Sequence, residues 1–401
     1  MRILHFIQSI DPATGGPVEG LRQRCNIYRA NGHQVEIASI DAPDVVRKSD
    51  LPAALVALGP GLGVYGYSRH VAPWLKTNLS RFDIVFVNGI WNYNTFAAHR
   101  ALGGTDIPWA IFAHGMLDPY FKKRFPVKHL KKMLYWKTSL RSILEDANAV
   151  LFTSEEERLL ARQSFPGYNV REMVVPYGTF GPDCDTHAAA EEFLAQHPEL
   201  RGKRVAIYLG RIHPKKGTDL LIEAFAATLA RDPAWHLVIV GPDTIGWKKN
   251  LEALAARLGI ADRIAWTGAL DGTQKWGALA AAEVFVLPSH QENFGIVVAE
   301  ALACGLPVIL SDKVNIWREV VNHRAGFVAD DTLDGTVASL RRWAALTAEE
   351  VAEMRVCSRE CFRAEFDFNL TSVKAMENVE SLARETSRYK PSSPTAPASR
   401  I

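Results

Sequence analysis

Cysteine is scarce in this sequence, with five residues scattered among 401. An odd number at wide spacing does not predict a disulfide framework, because a chain of this length can build its own hydrophobic core. A reducing cytoplasm therefore fits best. Cys357 and Cys361 lie close together, but no second pair accompanies them, so we expect no metal site.

Long apolar runs are also missing. No run approaches the roughly 18 residues that a membrane-spanning helix needs. Residues 1–10 are largely apolar but lack a small-residue cleavage site, and we interpret them as a first β-strand rather than a signal peptide. The charges nearly cancel, with a net charge of +2, so composition gives no reason to expect nucleic-acid binding.

The remaining composition is that of a globular α/β protein. Apolar residues make up 48% of the chain, and strand-like apolar runs alternate with helical segments in both halves. A chain of this length predicts two domains. We place them at residues 1–180 and 181–369, with a linker at about 178–190 and a Ser/Pro-rich, disordered tail at 386–401. The linker contains Asp183 and Asp185, which we interpret as solvated residues rather than as a metal-binding pair.

The most informative stretch is residues 284–310, VFVLPSHQENFGIVVAEALACGLPVIL. It predicts a buried strand, a polar loop, a helix that begins near Gly295 and a second buried strand. Ligands bind at the loops that follow such strands. Glu292 and Glu300 can face one side of the helix, and Gly295 lets backbone N–H groups approach a phosphate. Taken alone, Glu292 is better explained as a solvated acid in the first turn of the helix and Glu300 as a solvated helix residue.

A second loop changes that interpretation. The predicted strand at residues 204–209 is followed by GRIHPKKG, which contains Arg211 and Lys216. An arginine can bind two phosphate oxygens at once, and a lysine supplies a compact charge. Because both loops follow strands of one predicted parallel sheet, together they favour a diphosphate-binding site.

The N-terminal half contains weaker indications. Gly15 and Gly16 follow the first strand and can place N–H groups against an anion. His114 follows the predicted strand at residues 109–113, at the sheet edge where ligands bind. Taken alone, a tight turn and a structural histidine explain these residues as well.

Residues 119–141 are unusual because they contain many cations and large apolar groups but no acid. Two interpretations stand: docking on an anionic membrane surface, or a solvated helix whose lysine stems cover the core. The residues we consider for membrane contact are Lys122, Lys123, Arg124, Lys131 and Lys132.

Together, GRIHPKKG, ENFGIVVAEALACGLPVI, the Gly15–Gly16 loop and His114 followed by Gly115 resemble family 4 retaining glycosyltransferases, also called group 1 glycosyltransferases. The resemblance extends over nearly the whole chain. It implies the α/β GT-B fold, with two Rossmann-like domains whose parallel sheets face a central cleft. It also implies that a final helix at about 370–385 completes the N-terminal, acceptor-binding domain, and that the C-terminal domain binds the nucleotide sugar.

The resemblance also implies roles for particular residues. His114 and Glu292 are the implied catalytic residues. The implied donor-binding residues are Gly15, Gly16, Arg211, Lys216, Asn293, Phe294, Gly295 and Glu300. In the family pattern, the two cations hold the diphosphate and Glu300 holds the ribose hydroxyls.

The implied reaction is retaining transfer of a hexose from a UDP- or GDP-linked sugar to a saccharide or lipid-linked saccharide, in exopolysaccharide or other cell-surface glycan synthesis. Preorganised cations and dipoles can stabilise the leaving diphosphate, so we expect no metal or other cofactor. Two alternatives remain open: a sugar-nucleotide 2-epimerase on the same architecture, and a non-catalytic donor-binding subunit of a polysaccharide complex. We expect a cytoplasmic location, at the inner face of the cell membrane if the basic stretch docks there.

Overall fold

The computed structural model describes residues 1–12, 16–124 and 126–384. Gly15 and the tail at 386–401 lie outside these residues, so the predictions about them stay predictions. No helix in the described ranges is both long and apolar enough to cross a bilayer.

The chain forms two compact units. The first contains Met1–Phe152, Arg158–Val175 and the chain from Lys374 onward; the second contains Thr153–Glu157 and Pro176–Val373. The division after Val175 lies slightly before the boundary that we placed at residue 180.

The first unit contains a parallel seven-stranded sheet in the order β3-β2-β1-β4-β5-β6-β7. Its strands are β1 (Arg2–Ile7), β2 (Gln34–Ser39), β3 (Ala54–Ala57), β4 (Ile84–Asn88), β5 (Trp109–Phe112), β6 (Ala149–Phe152) and β7 (Glu172–Val174). The helices that connect them are α1 (Gly16–Ala30), α2 (Pro43–Lys48), α3 (Val71–Asn78), α4 (Tyr93–Leu102), α5 (Tyr120–Arg124), α6 (Pro126–Tyr135), α7 (Arg141–Asp146) and α8 (Glu155–Ala161).

The second unit contains a parallel six-stranded sheet in the order β10-β9-β8-β11-β12-β13. Its strands are β8 (Arg204–Leu209), β9 (Trp235–Val240), β10 (Ile264–Gly268), β11 (Val284–Leu287), β12 (Val308–Ser311) and β13 (Gly326–Ala329). Its helices are α9 (Thr186–Gln196), α10 (Thr218–Ala227), α11 (Lys248–Arg257), α12 (Gly272–Ala280), α13 (Ile296–Ala303), α14 (Trp317–Asn322), α15 (Leu333–Ala344) and α16 (Ala348–Cys361).

The central strands of both sheets are buried along their whole length, as in β4 and β11. Parallel strands covered by helices on both faces need continuous apolar runs, which is why the sequence predicts them well. The edge strand β3 is different. It is only partly buried and lies in a Pro/Gly-rich segment without periodicity, so the sequence analysis missed it.

The last helix, α17 (Phe368–Arg384), is divided between the units, and its part from Lys374 onward belongs to the first. There the side-chain amide of Asn378 donates to the carbonyl of Val174, at 3.3 Å. Near the predicted linker, Asp185 caps the N-terminus of α9 by accepting from the backbone N–H groups of His187 and Ala188. Its carboxylate is therefore a structural cap.

The core of the first unit contains a histidine, His5. His5 is fully buried on β1, and its ring stacks on Tyr28 and Phe86 at centroid distances of 5.7 and 5.1 Å. Burial, followed by the charges of Arg24 and His114, holds the pKa of His5 well below its ordinary value. His5 is therefore neutral in the folded protein.

We expect the first unit to lose stability on acidification, in part through His5. Below about pH 6.5 the unfolded chain binds a proton at this residue and the folded chain does not, so protonation favours unfolding by up to about 1.4 kcal/mol per pH unit. The His5→Phe variant should therefore lose less thermal stability between about pH 6.5 and 5 than the unmodified protein. Circular dichroism melts measure this slope, with the exposed His187→Gln as control. Parallel slopes for the His5→Phe variant and the unmodified protein would contradict the assignment.

Candidate functional site

Backbone hydrogen bonds to the loop after β12 hold the loop after β11 in place. The N–H of Glu292 donates to the carbonyl of Lys313 at 2.9 Å, and the carbonyl of Glu292 accepts from the N–H of Asn315 at 3.1 Å. Gly295 then begins α13 with φ +80°, and a Cβ at this position would lie 3.2 Å from Glu292 Cγ. Glycine is therefore required at the turn that leads into the helix.

The loop after β8 lies against the loop after β11. β8 and β11 are neighbours in the sheet, so their carboxyl ends are adjacent. The N–H of His290 donates to the carbonyl of Lys215 at 2.9 Å. Gly217 has φ +65°, and a Cβ there would lie 2.1 Å from the carbonyl oxygen of Pro288. The structure thus brings together the two loops that the sequence analysis singled out.

This loop contact places a lysine beside a glutamate. Lys216 Nζ forms an ion pair with the carboxylate of Glu292, and the two side chains are only 13% and 19% exposed. Lys215 Nζ donates to Gln291 Oε1 at 2.7 Å. Glu292 is therefore not the solvated first-turn acid that one reading of the sequence allowed.

Glu300 has a partner that the sequence analysis missed. It lies on α13, nearly buried, and Lys275 Nζ on α12 donates to its Oε1 at 2.7 Å. The Lys275 ammonium also lies 4.3 Å from the centre of the Trp276 ring. The pair joins two helices, so no local spacing in the sequence indicates it.

Arg211 differs from these paired residues because it is exposed. Its carbonyl accepts from the Tyr208 hydroxyl at 2.9 Å, which fixes its backbone. Within the described residues, its guanidinium has no ion-pair partner. An arginine in this position can bind an incoming anion without first breaking a contact.

The N-terminus of α13 is a further anion-binding element. No side chain of the described residues caps it, and the first N–H groups of a helix have no intrahelical acceptors. The helix dipole adds partial positive charge there. Backbone dipoles and the cations of the neighbouring loop therefore occur along one edge of this sheet.

Asn293 and Phe294, which follow Glu292 in the same loop, have side chains in different surroundings. Phe294 is buried and its ring packs edge-on against Tyr177, with centroids 4.8 Å apart. Its side chain belongs to the core, so only its backbone can bind a ligand. The amide nitrogen of Asn293 donates to Thr153 Oγ1 at 3.2 Å, both residues belonging to the second unit.

In the first unit, His114 is part of a polar chain. It follows β5 with φ +49°, and its Nε2 lies 3.1 Å from Asn88 Oδ1. Asn88 Nδ2 lies 3.3 Å from Nδ1 of the buried His5. The sequence analysis missed the partners of His114, although Asn88 could have been noticed as a polar residue that ends an apolar strand.

The chemical state of His114 follows from these surroundings. Burial, followed by the charge of Arg24, lowers the pKa of His114 to about 3. The ring is therefore neutral near pH 7. Asn88 Oδ1 accepts a hydrogen bond from Nε2–H of the neutral ring. Nδ1 therefore carries a lone pair and can itself accept a hydrogen bond.

Two further regions that the sequence indicated are Gly16 and the basic stretch at residues 119–141. Gly16 is the first residue of α1, and a Cβ there would meet no atom within 4 Å, so only its backbone is available for a ligand role. In the basic stretch, Lys122, Arg124 and Lys131 are exposed. Lys132 instead is half-buried and lies 4.4 Å from the centre of the Trp91 ring, and the side chain of Lys123 lies outside the described structure.

Each half of the chain matches a known family model. Residues 15–178 match the model described as glycosyl transferase 4-like domain, and residues 190–354 match the model described as glycosyl transferases group 1. Together the two models match most of the chain, with one model on each half.

Individual relatives agree with these matches. A GDP-mannose:cellobiosyl-diphosphopolyprenol alpha-mannosyltransferase of Xanthomonas campestris is 25% identical over 379 residues, which cover 92% of this chain and 93% of the relative. A GDP-mannose-dependent alpha-(1-6)-phosphatidylinositol monomannoside mannosyltransferase of Mycolicibacterium smegmatis is 31% identical over 206 residues, covering 49% of this chain and 52% of the relative.

Solved structures share the fold. Anabaena HepE in complex with UDP has a TM-score of 0.77 at 19% identity, covering 95% of this chain and 100% of that chain. The sucrose-phosphate synthase of Thermosynechococcus elongatus has a TM-score of 0.74 at 21% identity, covering 95% and 99%. At these identities the similarity establishes the GT-B fold.

The charge state of Lys216 can be tested directly. Burial, followed by the charges of Lys215 and Arg211, lowers the pKa of Lys216 to about 7, while the contacting Glu292 carboxylate favours the charged form. Because burial outweighs the pairing, acylation of Lys216 followed by peptide mass spectrometry should reach half its maximal rate at about pH 7.

The Glu292→Gln variant removes the opposing charge and should move this midpoint to lower pH. Lys203, which is exposed on the same unit, controls for the pH dependence of the reagent. A midpoint near the ordinary lysine value of about 10.4 would show that the carboxylate outweighs burial.

Proposed function

Because the chain belongs to the group 1 glycosyltransferases and has the GT-B fold, we propose that it transfers a hexose from a nucleotide-diphosphate sugar to a lipid-linked saccharide, with retention of configuration. The observation that carries this proposal is the contact between the loops after β8 and β11. It places Lys216 beside Glu292, near the N-terminus of a helix that no described side chain caps.

Breaking a glycosyl–phosphate bond leaves a diphosphate that carries most of the developing negative charge. Preorganised cations and backbone dipoles stabilise such a charge more effectively than water does. We assign Arg211 and Lys216 to the diphosphate, with the N–H groups that begin α13. This set of positive groups makes a divalent metal unnecessary, so full activity is expected in the presence of a chelator.

The two glutamates have separate roles in this proposal. Glu300 accepts hydrogen bonds from the ribose hydroxyls, and Lys275 holds its carboxylate in position at 2.7 Å. Glu292 binds the hexose and positions the ammonium of Lys216. A carboxylate held in an ion pair is a weak nucleophile, so we do not assign Glu292 to a covalent intermediate.

Retention then follows a front-face course. The acceptor hydroxyl attacks the anomeric carbon on the side from which the diphosphate leaves, and a leaving phosphate oxygen takes its proton. The neutral His114, whose Nδ1 is an acceptor, is assigned to a hydroxyl of the transferred hexose. Because His114 is uncharged near pH 7, it does not act as a cation in this step.

The relatives suggest the donor and the acceptor. The names of two of them specify GDP-mannose, and one specifies a saccharide on diphosphopolyprenol. Anabaena HepE, which shares the fold, was solved with UDP and with UDP-glucose. We therefore propose GDP-mannose as the first donor to test and UDP-glucose as the second. The corresponding role is exopolysaccharide or other cell-surface glycan synthesis at the cytoplasmic face of the membrane.

The test begins with a panel of UDP-, GDP- and ADP-sugars in a thermal-shift assay, because a ligand at 100 times its Kd stabilises the protein by about 2.7 kcal/mol. The stabilising donor is then incubated with a diphosphopolyprenol-linked disaccharide, with and without a chelator. We expect a trisaccharide product in both cases. Epimerisation of the donor without acceptor, or binding without any transfer, would overturn the proposal.

A matched pair of variants tests the site itself. Glu300→Gln should weaken donor binding about tenfold or more, which corresponds to about 1.4 kcal/mol. Glu283→Gln is the control. Glu283 pairs with Arg204 at the amino-terminal ends of β8 and β11, the ends of these strands that are far from the site. Equal effects of the two substitutions would show a general loss of stability rather than loss of a ribose contact.

A further inference from the structure

Helix α6 exposes an apolar face. Val127, Leu130 and Leu134 are 73%, 72% and 67% exposed, respectively. Their spacing of three and four residues places them on the same side of the helix. Of the two interpretations of residues 119–141, the solvated helix places its apolar residues against the core, and these three face away from it.

The opposite side of α6 is anchored to the first unit. The ring of His129 stacks on Phe165 with centroids 5.0 Å apart, and the ammonium of Lys132 lies over Trp91. Trp136, which follows the helix directly, is fully buried. Because these contacts fix the rotation of the helix, the apolar face cannot turn inward.

A loop from a distant part of the sequence extends this apolar face. Leu62 and Tyr67 form an antiparallel bridge that closes a tight loop, and Val64 at its tip is 93% exposed. Within this loop, the hydroxyl of Tyr65 lies 3.2 Å from that of Tyr135, the last residue of α6. The loop and the end of α6 are therefore in contact. We call the joint feature the apolar patch; it consists of Leu62, Val64, Tyr67, Val127, Leu130 and Leu134.

The two segments that form the apolar patch carry charges of one sign. Residues 51–82, which include the loop, contain no Asp or Glu, and neither do residues 119–144, which include α6. The exposed cations in these segments include Arg69, Lys128, Lys131 and Lys137. The segments that form the apolar patch are therefore basic, although the whole chain is nearly neutral.

We propose that the apolar patch docks on an anionic phospholipid bilayer. Val64, Val127, Leu130 and Leu134 enter the boundary between headgroups and acyl chains, while the surrounding lysines contact lipid phosphates. A second copy of the chain would fit less well, because a twofold interface would bring the same basic segments together. An anionic bilayer instead neutralises them.

This docking needs no donor and no catalysis, so it is independent of the proposed function. It also gives that function a physical route to its substrate, because a lipid-linked saccharide lies at the same surface. Failure of docking would leave binding of the nucleotide sugar in the thermal-shift assay unaffected. The two proposals can therefore fail separately.

The experiment is co-sedimentation of the full chain with vesicles of phosphatidylcholine alone and with phosphatidylglycerol added. We expect binding to the anionic vesicles only, and weaker binding as salt rises. The double substitution Val64→Ser with Leu130→Ser should weaken partitioning about tenfold or more. The matched control is Val321→Ser with Val356→Ser, two exposed valines of the second unit.

Two matched pairs of lysine substitutions distinguish the charge near the apolar patch from the net charge of the whole chain. Lys131→Ser with Lys137→Ser should weaken binding, whereas Lys203→Ser with Lys374→Ser, which removes the same charge elsewhere, should not. Equal effects of the two pairs would overturn the role of the apolar patch. A second contradicting result would come from analytical ultracentrifugation. If the unmodified protein is a dimer that does not bind vesicles, and the Val64→Ser/Leu130→Ser variant is a monomer, the apolar patch is a dimer interface instead. Circular dichroism melts check that every variant is folded.

Discussion

The candidate site of the second unit depends on one close approach between two loops. Gly217 has no side chain, and its α-carbon lies against the carbonyl of Pro288, so the loops after β8 and β11 pack without a gap. The backbone hydrogen bond from His290 to Lys215 fixes their register. As a consequence, Lys216 meets Glu292, and the cationic loop lies beside the start of α13. These features lie together because β8 and β11 are neighbours in the sheet.

The titratable groups of the candidate site are in different states in the two units. In the second, partly buried charges are kept in pairs, as in Lys216 with Glu292 and Lys275 with Glu300. In the first, His5 and His114 are held neutral by burial and joined through Asn88. In the proposed function, Lys216 binds the diphosphate. Glu292, Glu300 and the neutral His114 instead bind hydroxyl groups of the hexose and the ribose.

The sequence predicts those parts of the molecule in which local pattern and fold agree. Buried parallel strands need continuous apolar runs, and strand-end loops that approach an anion need glycine and cations, so the segments around Arg211 and Glu292 could be found. Lys275 could not, because its pairing with Glu300 depends on how two helices pack. The partly buried strand β3 was missed for a related reason, because its pattern resembles that of a loop. For residues 119–141 the sequence left two interpretations open, and only tertiary contacts show that the apolar face of α6 points outward.

The contact between Gly217 and Pro288 also offers the most direct test of the account. A Cβ at Gly217 would collide with the Pro288 carbonyl, whereas Gly202, with φ +75°, has no atom within 4 Å of the same position. Alanine is strained at both sites, but only Gly217→Ala should force the loops apart. Titration calorimetry with the preferred nucleotide sugar should therefore show affinity about tenfold weaker or worse for Gly217→Ala and nearly unchanged for Gly202→Ala. Unchanged affinity in Gly217→Ala would contradict the claim that the loop contact builds the donor site.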